Sequence, residues 1–309
     1  MRHDARRAFL GELIDDAGLF PPARLPMSEA LAARERALAS DAFWTVGRFV
    51  VPASRLRELA SELDDAPQAL ATSIILDAPG PLEPRLRELA SEARALASRI
   101  ALEAIEIPFA SIDGGTDDER FVRIESALGA ADFSECPDLY VEIGLGEVGS
   151  QQLGALHRAR SRDFEAAAKV RCGGIEPSSI PGAASLARFI WTANALHVPF
   201  KATAGLHHPL RHDDRSDGAT RHGFLNVIGG AVLARARGLD LRSLERLILD
   251  RDPANFQLDE ERFAWSGIGA DGAEIGDARA NFVHGYGSCS LTEPVDDLRA
   301  LAMLPAGVA

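Results

Sequence analysis

Eight times along this chain a short run of apolar, β-branched or aromatic residues gives way to a longer amphipathic stretch. No other feature limits the possible folds so tightly. The short runs, at 10–20, 43–51, 70–76, 100–107, 139–143, 166–174, 199–205 and 282–286, have the length and residue types of buried strands. The stretches at 27–39, 54–63, 82–97, 116–128, 151–160, 183–196, 220–237 with 241–249, and 293–303 carry apolar residues at helical spacing. Ser54 is placed to cap its helix with Glu58 close to the capping-box position, and the helix at 116–128 opens with acids at its positive end. Strands separated by helices pair in parallel through crossovers. Eight such units in 309 residues predict an α/β fold, a single (β/α)8 barrel of the TIM type, as one domain over 1–309. Residues 253–280 break the rhythm and read as an insertion before the last strand, FQLDEERFAWSG as a small hairpin and GIGADGAEIG as a surface loop. A doubly wound open sheet is the competing architecture, but no GxGxxG opens the first crossover.

The composition, 46% hydrophobic and 26% charged, is that of a globular protein in water. No apolar run approaches the ~20 residues of a membrane span. Glu12, Asp15 and Asp16 interrupt the amino-terminal stretch before it reaches the length of a secretory signal, so a cytoplasmic location without membrane partners is expected. A formal charge of −13 argues against nucleic acid as a partner. It leaves room for a small anionic substrate, because a local group of Lys and Arg outweighs the global sign at short range. Cys136, Cys172 and Cys289 make neither a disulfide framework nor a zinc knuckle. Barrels often pair through exposed helices, which leaves a homo-oligomer open.

Two segments share a grammar, AAAKVRCGG at 166–174 and PFKATAGLHHP at 199–209. Each has small or apolar residues, one lysine, a polar side chain two residues on, and a glycine break. With strand period two, Lys169 and Arg171 share one face and Lys201 and Thr203 another. The loop at 176–182 and the helix at 183–196 make this one strand–helix–strand unit, with its lysines on adjacent parallel strands. A lone strand lysine ordinarily reaches solvent or a carboxylate. A second cation nearby, with partial desolvation, favours the neutral amine that imine chemistry requires.

Barrel enzymes place their chemistry at the carboxyl ends of the strands. The residues expected to converge there are Asp15 and Asp16, Arg48, Asp77, Glu106 or Glu103, Glu142, Lys169 with Arg171, and Lys201 with Thr203. His284 and the turn Gly287-Ser288-Cys289-Ser290 complete the set. His207 and His208 are adjacent and point apart, a weaker chelating pattern than HxH or HxxxH. With Asp16, Glu142 and His284 they form the alternative, metal-holding set; their commoner use is hydrogen bonding to substrate or backbone. Cys172 reads as a small buried residue before it reads as a thiolate near cations. Ser288 and Ser290 have no His–Asp relay in view and suit anion binding at the start of the last helix, or a helix cap. His222 and Asn226 lie one turn apart and are expected to tie a loop rather than reach the mouth.

These residues resemble the deoxyribose-phosphate aldolase type of class I aldolase. The similar segments are IDDAGLFPPA at 14–23, FVVPASRLRELASEL at 49–63, AAAKVRCGG, FKATAG and GYGSCS. The resemblance implies that Lys169 forms the imine, that Lys201 depresses its pKa, that Asp15 orients groups or relays protons, and that the strand-four carboxylate is Glu106. It also implies phosphate binding at Gly287, Ser288 and Ser290. Arg171, Cys172, Gly173 and Gly174 stand where the family has threonine and serine, and Leu206, His207, His208 and Pro209 where it has a second glycine and an arginine. Arg171 is suited to grip a carboxylate with two hydrogen bonds. The expected activity is therefore a Schiff-base-forming lyase acting on a small anionic carbonyl compound, carboxylated or phosphorylated, without a cofactor. Arg171, Asp16, Arg48, Glu142, Thr203, His207, His208, Gly287, Ser288 and Ser290 are expected to bind substrate. A divalent-metal-dependent barrel lyase or hydrolase and a ligand-binding barrel without turnover are the alternatives.

Overall fold

A computed structural model describes residues 4–63, 68–133, 137–214 and 217–305. Helix α1 (Ala5–Leu10) precedes strand β1 (Ile14–Asp16). Then α2 (Met27–Leu38), β2 (Val46–Pro52), α3 (Leu56–Glu62), β3 (Leu70–Ile75), α4 (Leu82–Ala95) and β4 (Ile100–Pro108) alternate. They are followed by α5 (Asp117–Gly129), β5 (Asp138–Glu142), α6 (Gly146–Arg160), β6 (Ala167–Arg171), α7 (Ala183–Ala195) and β7 (Phe200–Thr203). A ribbon of β8 (His212–Asp213) and β9 (Thr220–Arg221) leads to α8 (Phe224–Arg237) and α9 (Leu241–Leu249). Strands β10 (Phe256–Leu258), β11 (Arg262–Trp265) and β12 (Ile268–Asp271) form an antiparallel sheet, then come α10 (Gly272–Asn281), β13 (Val283–Ser288) and α11 (Glu293–Ala300).

Eight parallel strands close in the order β1-β13-β7-β6-β5-β4-β3-β2. This is the expected (β/α)8 barrel. Among the described residues no helix is long and apolar enough to cross a membrane. One large apolar core fills the space between the strands and the surrounding helices. Inside the barrel a second, small cluster, Ala104, Tyr140 and Ala167, stands apart. Each of its members lies two residues before a charged one, Glu106, Glu142 or Lys169. Period two therefore stacks a charged layer on top of it.

Several local expectations change. The first strand is three residues long, because 5–10 is a helix capped by Asp4, whose side chain accepts from Arg7 N. Ser54 does not cap α3; its hydroxyl donates to Asp77 at 2.5 Å. Helix α6 begins five residues ahead of the expected start. Residues 220–221 pair with 212–213, so α8 starts at Phe224. The stretch expected as a surface loop at 267–276 is strand β12 and the first turn of α10. Asp271 there accepts from Ala273 and Glu274 N while Glu274 returns the bond, a capping box whose D-x-x-E spacing is legible in the sequence.

Candidate active site

The register of the barrel sets Lys169 opposite Lys201 on one side and Glu142 on the other. Asp15 on β1 and Glu106 on β4 reach the same interior. Lys201 donates to Asp15 Oδ2 at 2.5 Å and to Glu106 Oε1 at 2.8 Å. Lys169 Nζ lies 2.7 Å from Glu106 Oε2 and 2.8 Å from Glu142 Oε2. Glu106, 1% exposed, thus spans the two amines with its two oxygens, and Ser73 donates to Oε1 at 2.7 Å. Asp15 is fixed in turn by the Arg48 backbone N–H at 2.8 Å. Gly47 makes room for this: a Cβ there would meet Asp15 Oδ1 at 2.5 Å.

The two lysines are not held alike. Lys201 makes aligned hydrogen bonds and stands 5.0 Å above the Tyr140 ring. Lys169 sits at ion-pair distance from its carboxylates, but Glu106 Oε2 has no aligned donor. Burial alone would lower the Lys201 pKa; Asp15 and Glu106 outweigh it and raise the pKa above the ordinary lysine value. Burial alone would raise Glu106; the Lys169 and Lys201 ammoniums hold it well below the usual carboxylate range. Two ammoniums therefore face three carboxylates, Asp15, Glu106 and Glu142. Glu106 lies between the two amines and is shared by both.

Above this layer opens a cavity of about 560 Å³ at the carboxyl ends of the strands. Lys169, Lys201, Glu106, Glu142, Arg171, Thr203, His207 and Gly287 all line it. Gly173 and Gly205, at the ends of β6 and β7, let their loops touch: a Cβ on either would come within 3.0 Å of the other's Cα. The Arg171 side chain is half exposed, and its guanidinium lies 3.8 Å from Glu142 Oε1. Burial, then the neighbouring His208 and Arg221, push His207 down to about 4, so its ring is neutral at pH 7.

Other expected site residues point elsewhere. Arg48 is the third of seven residues in β2, and its guanidinium reaches the amino-terminal end of the barrel, bonding Glu103 at 3.0 Å and Asp138 at 2.6 Å. Glu103 belongs to that end too, which leaves Glu106 as the strand-four carboxylate. Asp16 follows Asp15 directly and so faces outward, accepting from Gly18 N and standing 4.0 Å from Arg34. Burial raises its pKa to about 6. His208 pairs with Asp297 at 2.5 Å outside the cavity, and His284 bonds the Tyr140 hydroxyl at the base. Asp77 holds Ser54 outside the cavity lining. Ser288 and Ser290 do not line the cavity: Ser288 donates to Ser290 O, and Ser290 accepts from Glu293 N at the start of α11.

The metal-holding set is therefore not assembled, with Asp16, His208 and His284 facing three other directions. Among the described residues no group of three or more His, Cys, Asp or Glu is arranged to hold a metal ion. Cys172 is buried and pushed up to about 12 by burial, as an inert thiol should be. Cys136 lies outside the described residues. His222 bonds Pro181 O, and Asn226 ties Arg211, Leu247 and Asp250, the loop-tying role expected.

Sequence reading missed Ser73, Tyr140 and Arg221. Tyr140 was within reach of the period-two rule, two residues before Glu142 on the same face. A second cavity, of about 450 Å³, lies at the amino-terminal end, lined by Arg48, Glu103, Asp138, Tyr140 and His284, and Lys201 lines both cavities. No protein-family model matches this sequence, and no curated protein matches it.

Proposed function

We propose that this barrel is an imine-forming lyase of the aldolase class, with Lys169 as the nucleophile and a small anionic carbonyl compound as substrate. The observation that carries this reading is the Lys169–Glu106–Lys201 bridge on the floor of a mouth cavity, with Lys169 the amine nearer the open wall at Glu142. Lys201, bonded along its hydrogen-bond directions, is suited to hold Glu106 and Asp15 in place. Lys169 has one partner, Glu142, at the cavity wall with its side chain 22% exposed.

For reaction the Lys169 ammonium gives a proton to Glu142, and the free amine adds to the substrate carbonyl. The carbinolamine loses water to form an iminium. Glu142 returns its proton to the departing water and is free to act as base. The iminium draws the electrons of a neighbouring C–C or C–H bond toward nitrogen, leaving an enamine. Glu142 meanwhile takes up either the proton of a β-hydroxyl, whose carbon leaves as the aldehyde, or the C–H proton itself. Reprotonation at carbon and hydrolysis return product and amine. Each cationic stage keeps a positive charge beside Glu106, so the fixed carboxylate serves ammonium and iminium alike without reorganising. Glu106 is a poor proton acceptor for the same reason, which moves the acid–base role to Glu142.

Borohydride in the presence of a 2-oxo acid or sugar-phosphate panel should add the reduced substrate's mass to the peptide containing Lys169, and Lys169→Met should abolish the adduct. A panel that gives no adduct on the wild-type protein refutes the covalent mechanism. Three carboxylates for two ammoniums favour one second reading, a barrel that binds its ligand without turnover. In that case Lys169→Met leaves ligand affinity intact and no substrate is consumed.

A further inference from the structure

The mouth cavity has two unlike sides. Phe20 and Pro22 after β1, Val50 and Ile75 on β2 and β3, and Pro108 at the end of β4 make an apolar wall. The floor holds Glu106 and the two lysines, and the facing side, from Glu142 at the end of β5 onward, carries the other charged and hydrogen-bonding groups. Besides the lysines, two arginines stand there among the described residues. Arg221 is engaged by Asp214 at 2.7 Å and Asp217 at 2.5 Å. Among the described residues Arg171 has no partner within hydrogen-bond distance, and the carboxylate nearest it, Glu142, is 3.8 Å away. The neutral His207 ring adds no charge. At the rim beside Arg171, Ile175 is 57% exposed, an apolar side chain with most of its surface still in water.

We infer that the substrate is amphiphilic: a carboxylate held by Arg171, and a hydrocarbon or aryl group laid against the Phe20–Val50–Ile75–Pro108 wall and under Ile175. This rests on the imine reading only for the carbonyl between the two ends. A polyhydroxylated sugar phosphate is the wrong shape of polarity for such a cleft, because its hydroxyls would face a wall without hydrogen-bonding side chains. A planar carboxylate matches the guanidinium fork, and the cavity, at about 560 Å³, has the volume of a small-molecule site.

The test separates binding from imine chemistry by using probes that have no carbonyl to attack. Titration calorimetry of the full chain with 3-phenylpropanoate, propanoate, 3-phenylpropan-1-ol and glycerol phosphate should rank 3-phenylpropanoate first, at least about tenfold tighter than propanoate. Arg171→Gln should weaken 3-phenylpropanoate about tenfold and leave the alcohol unchanged. Ile175→Ser, an uncharged change at an exposed position that does not threaten folding, should weaken 3-phenylpropanoate and leave propanoate unchanged. Propanoate or glycerol phosphate binding as tightly as 3-phenylpropanoate, or no binding by any of the four, overturns the inference. Borohydride trapping with 3-phenyl-2-oxopropanoate is the separate arm. No adduct alongside the predicted binding order sinks the covalent mechanism alone, whereas equal trapping of 2-oxopropanoate sinks the amphiphile alone.

Discussion

Glu106→Gln is the sharpest perturbation this barrel offers, because it keeps the shape and removes one charge from between two buried ammoniums. Removing one partner of a buried ion pair costs about 3–5 kcal/mol. With an unfolding entropy of about 2.1 cal/mol/K per residue, 309 residues give about 0.65 kcal/mol/K, so Tm falls by about 5–8 °C. The pH dependence supplies the control. Glu106 is depressed in the folded protein, so its contribution is complete above its ordinary value of 4.5 and is lost as pH falls from there toward the folded value. Urea denaturation of both proteins should therefore show a gap that narrows by about 1 kcal/mol between pH 7 and pH 4. A gap of the same size at both pH values, or no gap at pH 7, would show that the charge of Glu106 does not hold the lysines.

Asp16 behaves in the opposite sense. Its pKa is raised from 3.8 to about 6 by burial, so the folded state takes up the extra proton and stability falls as pH rises through that window. Between pH 5 and pH 7.5 the wild type should lose about 1 kcal/mol more than Asp16→Asn does, read from urea midpoints; parallel losses would contradict the raised value. Asn226→Ala strands the Arg211 N–H and the Asp250 carbonyl and removes one of two donors to the Leu247 carbonyl, where the start of α8 meets the end of α9. It should cost about 2 kcal/mol in the same assay, with a loss below about 1 kcal/mol counting against the role given to Asn226.

The barrel was legible because its strands are continuous apolar runs and its helices keep their period. The lysine pair was legible for a narrower reason, since period two and adjacent strands fix both face and neighbour. Height along a strand is what the sequence concealed. Arg48 and Glu142 both face the interior, yet one lies near the start of its strand and the other at the end, so they open on opposite ends of the barrel. Asp15 and Asp16 could not both face inward, and the period alone could have excluded one. The β8–β9 ribbon escaped because two-residue strands carry no pattern, and its arginine, Arg221, was read as the start of a helix.

Lys201 has a window on each side. It borders the vestibule beneath as well as the mouth, beside Arg48 and Tyr140, whereas Lys169 borders the mouth alone of these two. A ligand that corks the mouth should therefore slow proton exchange at Lys169 more than at Lys201.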